Sequence, residues 1–318
     1  MSTSLSNALH GVHTALFTPL LSDDSKNLNN SIDYIKLEQM IEALIKKGVH
    51  GMVPVGTTGQ SATLSHQQHL DVVKFTLEKV AGRAQIIAGA GSNCTRESVE
   101  MIKKIQAIAD VPVLCVTGYY NNPTPNGIFN HFKTLADETG AKIVLYNVPS
   151  RTNNYMTPEI IIELAKIPNI IGLKQAVDFQ EGGEHRADTL TIIAGTRDED
   201  FAVLSGEDDS LAEMIKIGGS GIISATANIP EAAEIFISTY QSATSGDLVT
   251  AATQQASLAD FVSAAFSRKN PIPMGTFFNS PLYQPLCKVE DTEGGAKLEA
   301  HLQELIKQSA PSLLKYYK

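Results

Sequence analysis

The sequence predicts an α/β chain built as a (β/α)8 TIM barrel with a C-terminal helical domain. Three observations carry this. Short apolar, β-branched runs alternate with segments of helical period, and about eight such alternations fill the chain up to residue 230. Polar residues collect just beyond those runs, at the strand ends where barrel sites form. No Gly-x-Gly-x-x-Gly follows the first run, and Gly89-Ala-Gly91-Ser-Asn-Cys94 lacks the third glycine of a dinucleotide-binding turn.

Strands are expected over 13–17, 51–55, 85–90, 113–116, 142–147, 170–174, 202–204 and 221–224. Most are short and almost wholly apolar, as strands covered on both faces must be. Helices are expected over 32–47, 66–80, 95–109, 128–139 and 158–166, where apolar residues recur three and four apart. Ser65 with Gln68 forms a capping box, and Thr157 is placed to cap a helix whose first residue is Pro158. The segment 179–188 holds two glycines and four charges and reads as a loop with a weak helix. Beyond residue 230 the strand pattern stops, and 231–242, 246–266 and 295–309 read as helices. The expected division is a catalytic barrel over 1–229 and a helical domain over 230–318.

Composition excludes several classes of function. With 318 residues, 43% hydrophobic and 19% charged, the chain is ordinary globular protein. A net charge of −9 without a compensating basic run argues against nucleic acid as a partner. Residues 1–8 lack the basic-then-apolar pattern of a signal peptide, and no apolar run approaches the roughly 20 residues that span a bilayer. Cys94, Cys115 and Cys287 match neither a disulfide framework nor a metal knuckle. A cytoplasmic protein that engages neither membrane nor nucleic acid is expected.

The chemistry centres on Lys174, which closes the apolar run Asn169-Ile-Ile-Gly-Leu-Lys174. Burial disfavours the charged form of a lysine, and a neutral amine attacks carbonyls to form a Schiff base. On spacing alone, the plainer reading is a stem that packs while its head reaches water. Other strand ends alter that balance. Gly56-Thr57-Thr58-Gly59-Gln60-Ser61, Thr117-Gly118-Tyr119-Tyr120-Asn121, Tyr146-Asn147-Val148-Pro149-Ser150-Arg151-Thr152 and Ser224-Ala225-Thr226-Ala227-Asn228 all fall at the same end of one barrel. Separately, each reads as a turn, a packing pair or a surface cation; chance would scatter them.

Taken in order, these motifs resemble the dihydrodipicolinate synthases, within the N-acetylneuraminate lyase superfamily of class I aldolases. The resemblance runs from about residue 12 to 228 and extends into the helical tail. It implies a lyase that condenses pyruvate with L-aspartate 4-semialdehyde in lysine and diaminopimelate biosynthesis. No cofactor and no metal are implied, because Lys174 itself supplies the electrophile as an imine. By the same resemblance Tyr146 shuttles protons, and Thr58 and Tyr120 extend the relay. Thr57 and Thr58 hold the pyruvate carboxylate, Arg151 clamps the carboxylate of the semialdehyde, and the backbone at Gly206 and Ile223 lines the pocket. The tyrosine matching Tyr119 crosses a dimer interface in the family, which implies a homotetramer built as a dimer of dimers. Ser61, Ala62, His66, His69, Asn93, Glu97 and Tyr119 match the site at which L-lysine inhibits feedback-regulated members.

Two positions depart from the family pattern: Gln60 and Gln175 stand where glutamate is usual. A stretch around 182–198 also lengthens the connection before the seventh strand. Arg151 favours the synthase over the alternative in this fold, an N-acetylneuraminate or keto-deoxy sugar acid lyase. A non-catalytic, metabolite-sensing barrel is the reading from a different class, and the intact set Lys174, Tyr146, Thr58 and Tyr120 argues against it.

Overall fold

The computed structural model describes residues 4–21 and 32–317. The start of the polar segment 1–8 therefore lies outside the described residues. The barrel follows the order β1 (Gly11–Thr14), α1 (Tyr34–Lys47), β2 (Gly51–Met52), α2 (His66–Val80), β3 (Gln85–Ile86), β4 (Ala88–Gly89), α3 (Thr95–Gln106), β5 (Val113–Val116), α4 (Pro125–Thr139), β6 (Ile143–Asn147), α5 (Pro149–Thr152), α6 (Pro158–Ala165), β7 (Ile170–Gln175), α7 (Arg186–Gly195), β8 (Ala202–Ser205), α8 (Leu211–Lys216) and β9 (Gly221–Ser224). The tail adds α9 (Pro230–Thr244), α10 (Leu248–Ala256), α11 (Ala259–Ala265), α12 (Ile272–Phe277) and α13 (Gly295–Ser309).

All strands pair in parallel, in the order β3-β2-β1-β9-β8-β7-β6-β5-β4. Only Ile87 separates β3 from β4, so the chain itself joins the two ends of this order and the expected eight-stranded ring closes. Side chains such as Val53, Ile87, Val144, Leu204 and Ile223 fill its interior, while a larger apolar layer lies between the strands and the helices. No helix among the described residues is long and apolar enough to cross a membrane.

One irregularity matters for the site. Ile143 pairs with Ile170, but Val144 pairs with Gly172, so Ile171 has no opposite number on β6. Because strand side chains alternate between faces, this extra residue shifts the parity of the rest of β7. Lys174 then sits beside Tyr146, facing the barrel interior rather than the helices.

The capping box at Ser65 forms, with both reciprocal bonds to Gln68. Thr157 occupies the expected cap position of α6 but makes no side-chain cap bond. The segment expected as one helix over 246–266 divides into α10 and α11. At the break the Ser257 hydroxyl donates to the Gln254 carbonyl, a local bond that competes with helix continuation. The lengthened connection over 182–198 contains α7, held by an ion pair of Arg186 with Glu213 at 2.6 Å and by the Tyr155 hydroxyl donating to Asp188 at 2.7 Å.

Candidate active site

Lys174 and Tyr146 face each other across β6 and β7. Both are more than nine-tenths buried, and the Lys174 Nζ lies 4.7 Å from the centre of the Tyr146 ring. They line a cavity of about 330 Å³ at the carboxyl ends of the strands. Thr57, Thr58, Arg151, Gly206 and Ile223 line it too, so the barrel gathers those predicted residues around the amine. The smallness of Gly206 is enforced: a Cβ there would lie 2.9 Å from the Cε of Lys174 and 2.7 Å from the Cβ of Ala176.

The threonines sit on a constrained loop. Val55, which precedes it, has φ of 52°, a conformation a β-branched residue rarely adopts. It is wedged against Gly89, where a Cβ would meet the Val55 carbonyl oxygen at 2.3 Å. Gln60, at the far end, is also left-handed, with φ of 61°. Its amide donates to the Thr18 carbonyl at 2.8 Å and accepts from the Tyr283 N–H at 3.0 Å. A carboxylate could accept from Tyr283 but could not donate to Thr18, which gives the glutamine in this position a physical reason. Gln175 is fully buried on the outer face, accepting from the Asn147 amide at 3.0 Å and contacting the Thr189 hydroxyl at 3.4 Å. It braces the ends of β6 and β7 from behind and does not face the cavity.

Sequence reasoning missed two parts of the site. The first is a wall supplied by the tail: Phe266, Arg268, Lys269 and Asn270 line the cavity. Arg151 donates from Nη2 to the Asn270 carbonyl at 2.8 Å, and the Asn270 side-chain amide donates to the Thr58 hydroxyl at 2.9 Å. Arg268 is occupied by Thr292, Ser267 and Glu293, whereas Lys269 is exposed. The signal was the punctuation Asn270-Pro-Ile-Pro273, which marks a fixed turn leading into the first turn of α12.

The second is Glu207, the residue after Gly206. Burial pushes its carboxyl up to about 7, aided by repulsion from Asp208 and Asp209 and opposed by the Lys174 ammonium. Asp208 is fully buried below it and accepts from the backbone N–H groups of Ala225, at 3.2 Å, and Thr226, at 2.6 Å. The strand-end rule applied to β8 would have found both acids.

Tyr120 is not in the cavity. It is 96% exposed with φ of 71°, while Tyr119 is 38% exposed. The residues matched to an effector site converge near the starts of α2 and α3. His66 Nε2 lies 3.2 Å from Glu97 Oε1, the Ser92 hydroxyl donates to Glu97, and the Asn93 amide donates to the Tyr119 carbonyl at 3.1 Å. His69 is buried with Nε2 donating to the Gly89 carbonyl at 2.7 Å, and burial lowers its pKa. Ser61 and Ala62 lie on the short 3-10 turn just before α2.

Comparison with known proteins identifies the family. The Dihydrodipicolinate synthetase family matches residues 8–281. A 4-hydroxy-tetrahydrodipicolinate synthase of Methanosphaerula palustris is 37% identical over 295 residues, covering 91% of this chain and 97% of the relative. The crystal structure of the chloride-inhibited dihydrodipicolinate synthase of Acinetobacter baumannii complexed with pyruvate superposes with a TM-score of 0.82, at 31% identity, over 94% of this chain and 98% of that one. The enzyme from Cyanidioschyzon merolae with lysine bound gives a TM-score of 0.84 at 30% identity, again over 94% and 98%. The chain therefore belongs to the dihydrodipicolinate synthetase family.

Proposed function

We propose that the cavity around Lys174 condenses pyruvate with L-aspartate 4-semialdehyde. The activity is that of a 4-hydroxy-tetrahydrodipicolinate synthase, a lyase of lysine biosynthesis. The observation that carries the site assignment is the buried amine of Lys174 held 4.7 Å from the Tyr146 ring in a cavity rimmed by Thr58 and Arg151.

The amine of Lys174 adds to the keto carbon of pyruvate, and loss of water leaves an imine. Its nitrogen draws electrons from the methyl carbon, which releases a proton and becomes the enamine nucleophile. That carbon bonds to the aldehyde carbon of the semialdehyde, whose oxygen takes up a proton. The amino group of the same substrate then attacks the imine carbon, closing the ring and freeing Lys174. Tyr146, beside the amine, carries protons in these steps, with Thr58 next in the relay. Thr57 and Thr58 receive the pyruvate carboxylate, and Arg151 offers the semialdehyde carboxylate a planar, two-pronged contact. Gly206 and Ile223 leave room for the chain of the adduct. The tail over 230–318 lends the barrel of 1–229 one wall of this site.

Tyr120 is exposed and lies outside the cavity of its own subunit, and a second copy of the chain would bring it to the relay. Tyr119 would then lie at that interface, in a dimer paired into a homotetramer. The pairing of His66 with Glu97, beside Asn93 and Tyr119, supports an L-lysine site in which Glu97 takes an ammonium group of the ligand. Ser61, Ala62 and His69 complete its wall.

Intact-protein mass after borohydride reduction with pyruvate tests the reaction. One pyruvate-derived adduct is expected on the wild type and none on Lys174→Ala. A well-folded wild type without the adduct would overturn the imine mechanism.

A further inference from the structure

Asn270 hydrogen-bonds both Arg151 and Thr58, and it does so through different atoms. Its backbone carbonyl accepts from Arg151, and its side-chain amide donates to Thr58. It lines the cavity, is 7% exposed, and its Oδ1 has no partner among the described residues. An amide nitrogen can only donate, so the Thr58 oxygen is the acceptor in this bond. The Thr58 proton is then left to be given elsewhere, and Thr58 is almost fully buried in the cavity wall. A hydroxyl that lends its own proton is what a substrate carboxylate requires; one whose proton is already committed to a neighbour would present only lone pairs to it.

We infer that Asn270 is a positioning residue for pyruvate: its side-chain amide turns the Thr58 hydroxyl into a donor for the substrate carboxylate, while its backbone carbonyl separately steadies Arg151. The inference rests on the reading of Thr58 as part of the pyruvate carboxylate site. Its two halves act on different substrates. Changing the side chain disturbs pyruvate, and the carbonyl that holds Arg151 is untouched.

Asn270→Asp keeps the shape, replaces the donor with an acceptor that takes up the Thr58 proton, and places a negative charge near the carboxylate. Asn270→Leu removes the donor without adding charge, and guards against a result due to the charge alone. Both are measured in the full chain, by the pyruvate concentration giving half-maximal borohydride trapping and by the KM for each substrate. The half-saturating pyruvate concentration should rise about tenfold or more in both variants, with the semialdehyde KM within about twofold of wild type. In a Thr58→Val background the Asn270 changes should add almost nothing, because the hydroxyl they orient is gone. A structural role would move both KM values together and give additive effects, and either result overturns the assignment. So does a folded Asn270→Asp with wild-type pyruvate saturation, even where the wild type forms the adduct. A wild type that forms no adduct overturns the reaction itself and this assignment with it.

Discussion

Replacing Glu207 by glutamine should stabilise the protein above pH 4.5, by an amount that grows up to about pH 7 and is full beyond it. The carboxyl is raised from 4.5 to about 7 by burial and by the neighbouring charges of Asp208 and Asp209. The folded value lies above the unfolded one, so the native state keeps a proton that the unfolded chain has already released. Stability from that proton is complete below pH 4.5 and is lost as pH rises through 7. A shift of this size corresponds to about 3 kcal/mol at roughly 1.36 kcal/mol per unit. Glu207→Gln stays neutral throughout and avoids the loss. For a chain of 318 residues the entropy of unfolding is about 0.7 kcal/mol per degree, so the gain reads as about 5 °C in Tm at pH 8.5. Thermal unfolding of wild type and Glu207→Gln at pH 4.5 and pH 8.5 makes the comparison. The two midpoints should nearly coincide in acid and separate in base. Equal separation at both pH values would show that the variant acts through packing, and a variant less stable at pH 8.5 would refute the reasoning outright.

Two further predictions concern ligands. Arg151→Ala should lower kcat/KM for the semialdehyde by about 10- to 100-fold, the loss expected for a charge-assisted bond, while pyruvate trapping changes by no more than about twofold; equal loss in both would place Arg151 at the pyruvate carboxylate. Glu97→Gln should raise the L-lysine concentration for half-inhibition about tenfold or more, and an unchanged value, or a wild type indifferent to millimolar lysine, would remove the effector site.

The barrel was legible because its strands are buried on both faces. Runs such as Val113–Val116 and Gly221–Ser224 stand out as compact apolar blocks and fall where expected. Helices whose stability comes from polar contacts were not legible. The α7 helix buries little beyond Thr189 and Ile192 and is tied down by Arg186, Tyr155 and Asp188, so no apolar period announces it. The single helix expected over 246–266 is broken at Ser257 without a glycine or proline, and Gln255 at that point bonds the Asp208 carbonyl at 3.0 Å and the Ala212 N–H at 3.3 Å. The local Ser257 bond is joined there by these contacts to a distant part of the chain, which local sequence does not contain. In the cavity, Thr57, Thr58, Arg151 and Lys174 lie where one rule about strand ends expects them, whereas Tyr120, also just after a strand, does not reach it. Asn270 was not legible, because it reaches the cavity from a part of the chain to which that rule does not apply.

The wall formed by Phe266 to Asn270 also bears on the order in which the enzyme comes into being. Synthesis proceeds from the amino terminus, so every barrel strand and Lys174 emerge well before residue 270. A growing chain can enclose its amine while Arg151 and Thr58 still lack the contacts that hold them. The contacts that hold Arg151 and Thr58 can therefore be completed only after the segment around residue 270 has been made and has folded back onto the barrel.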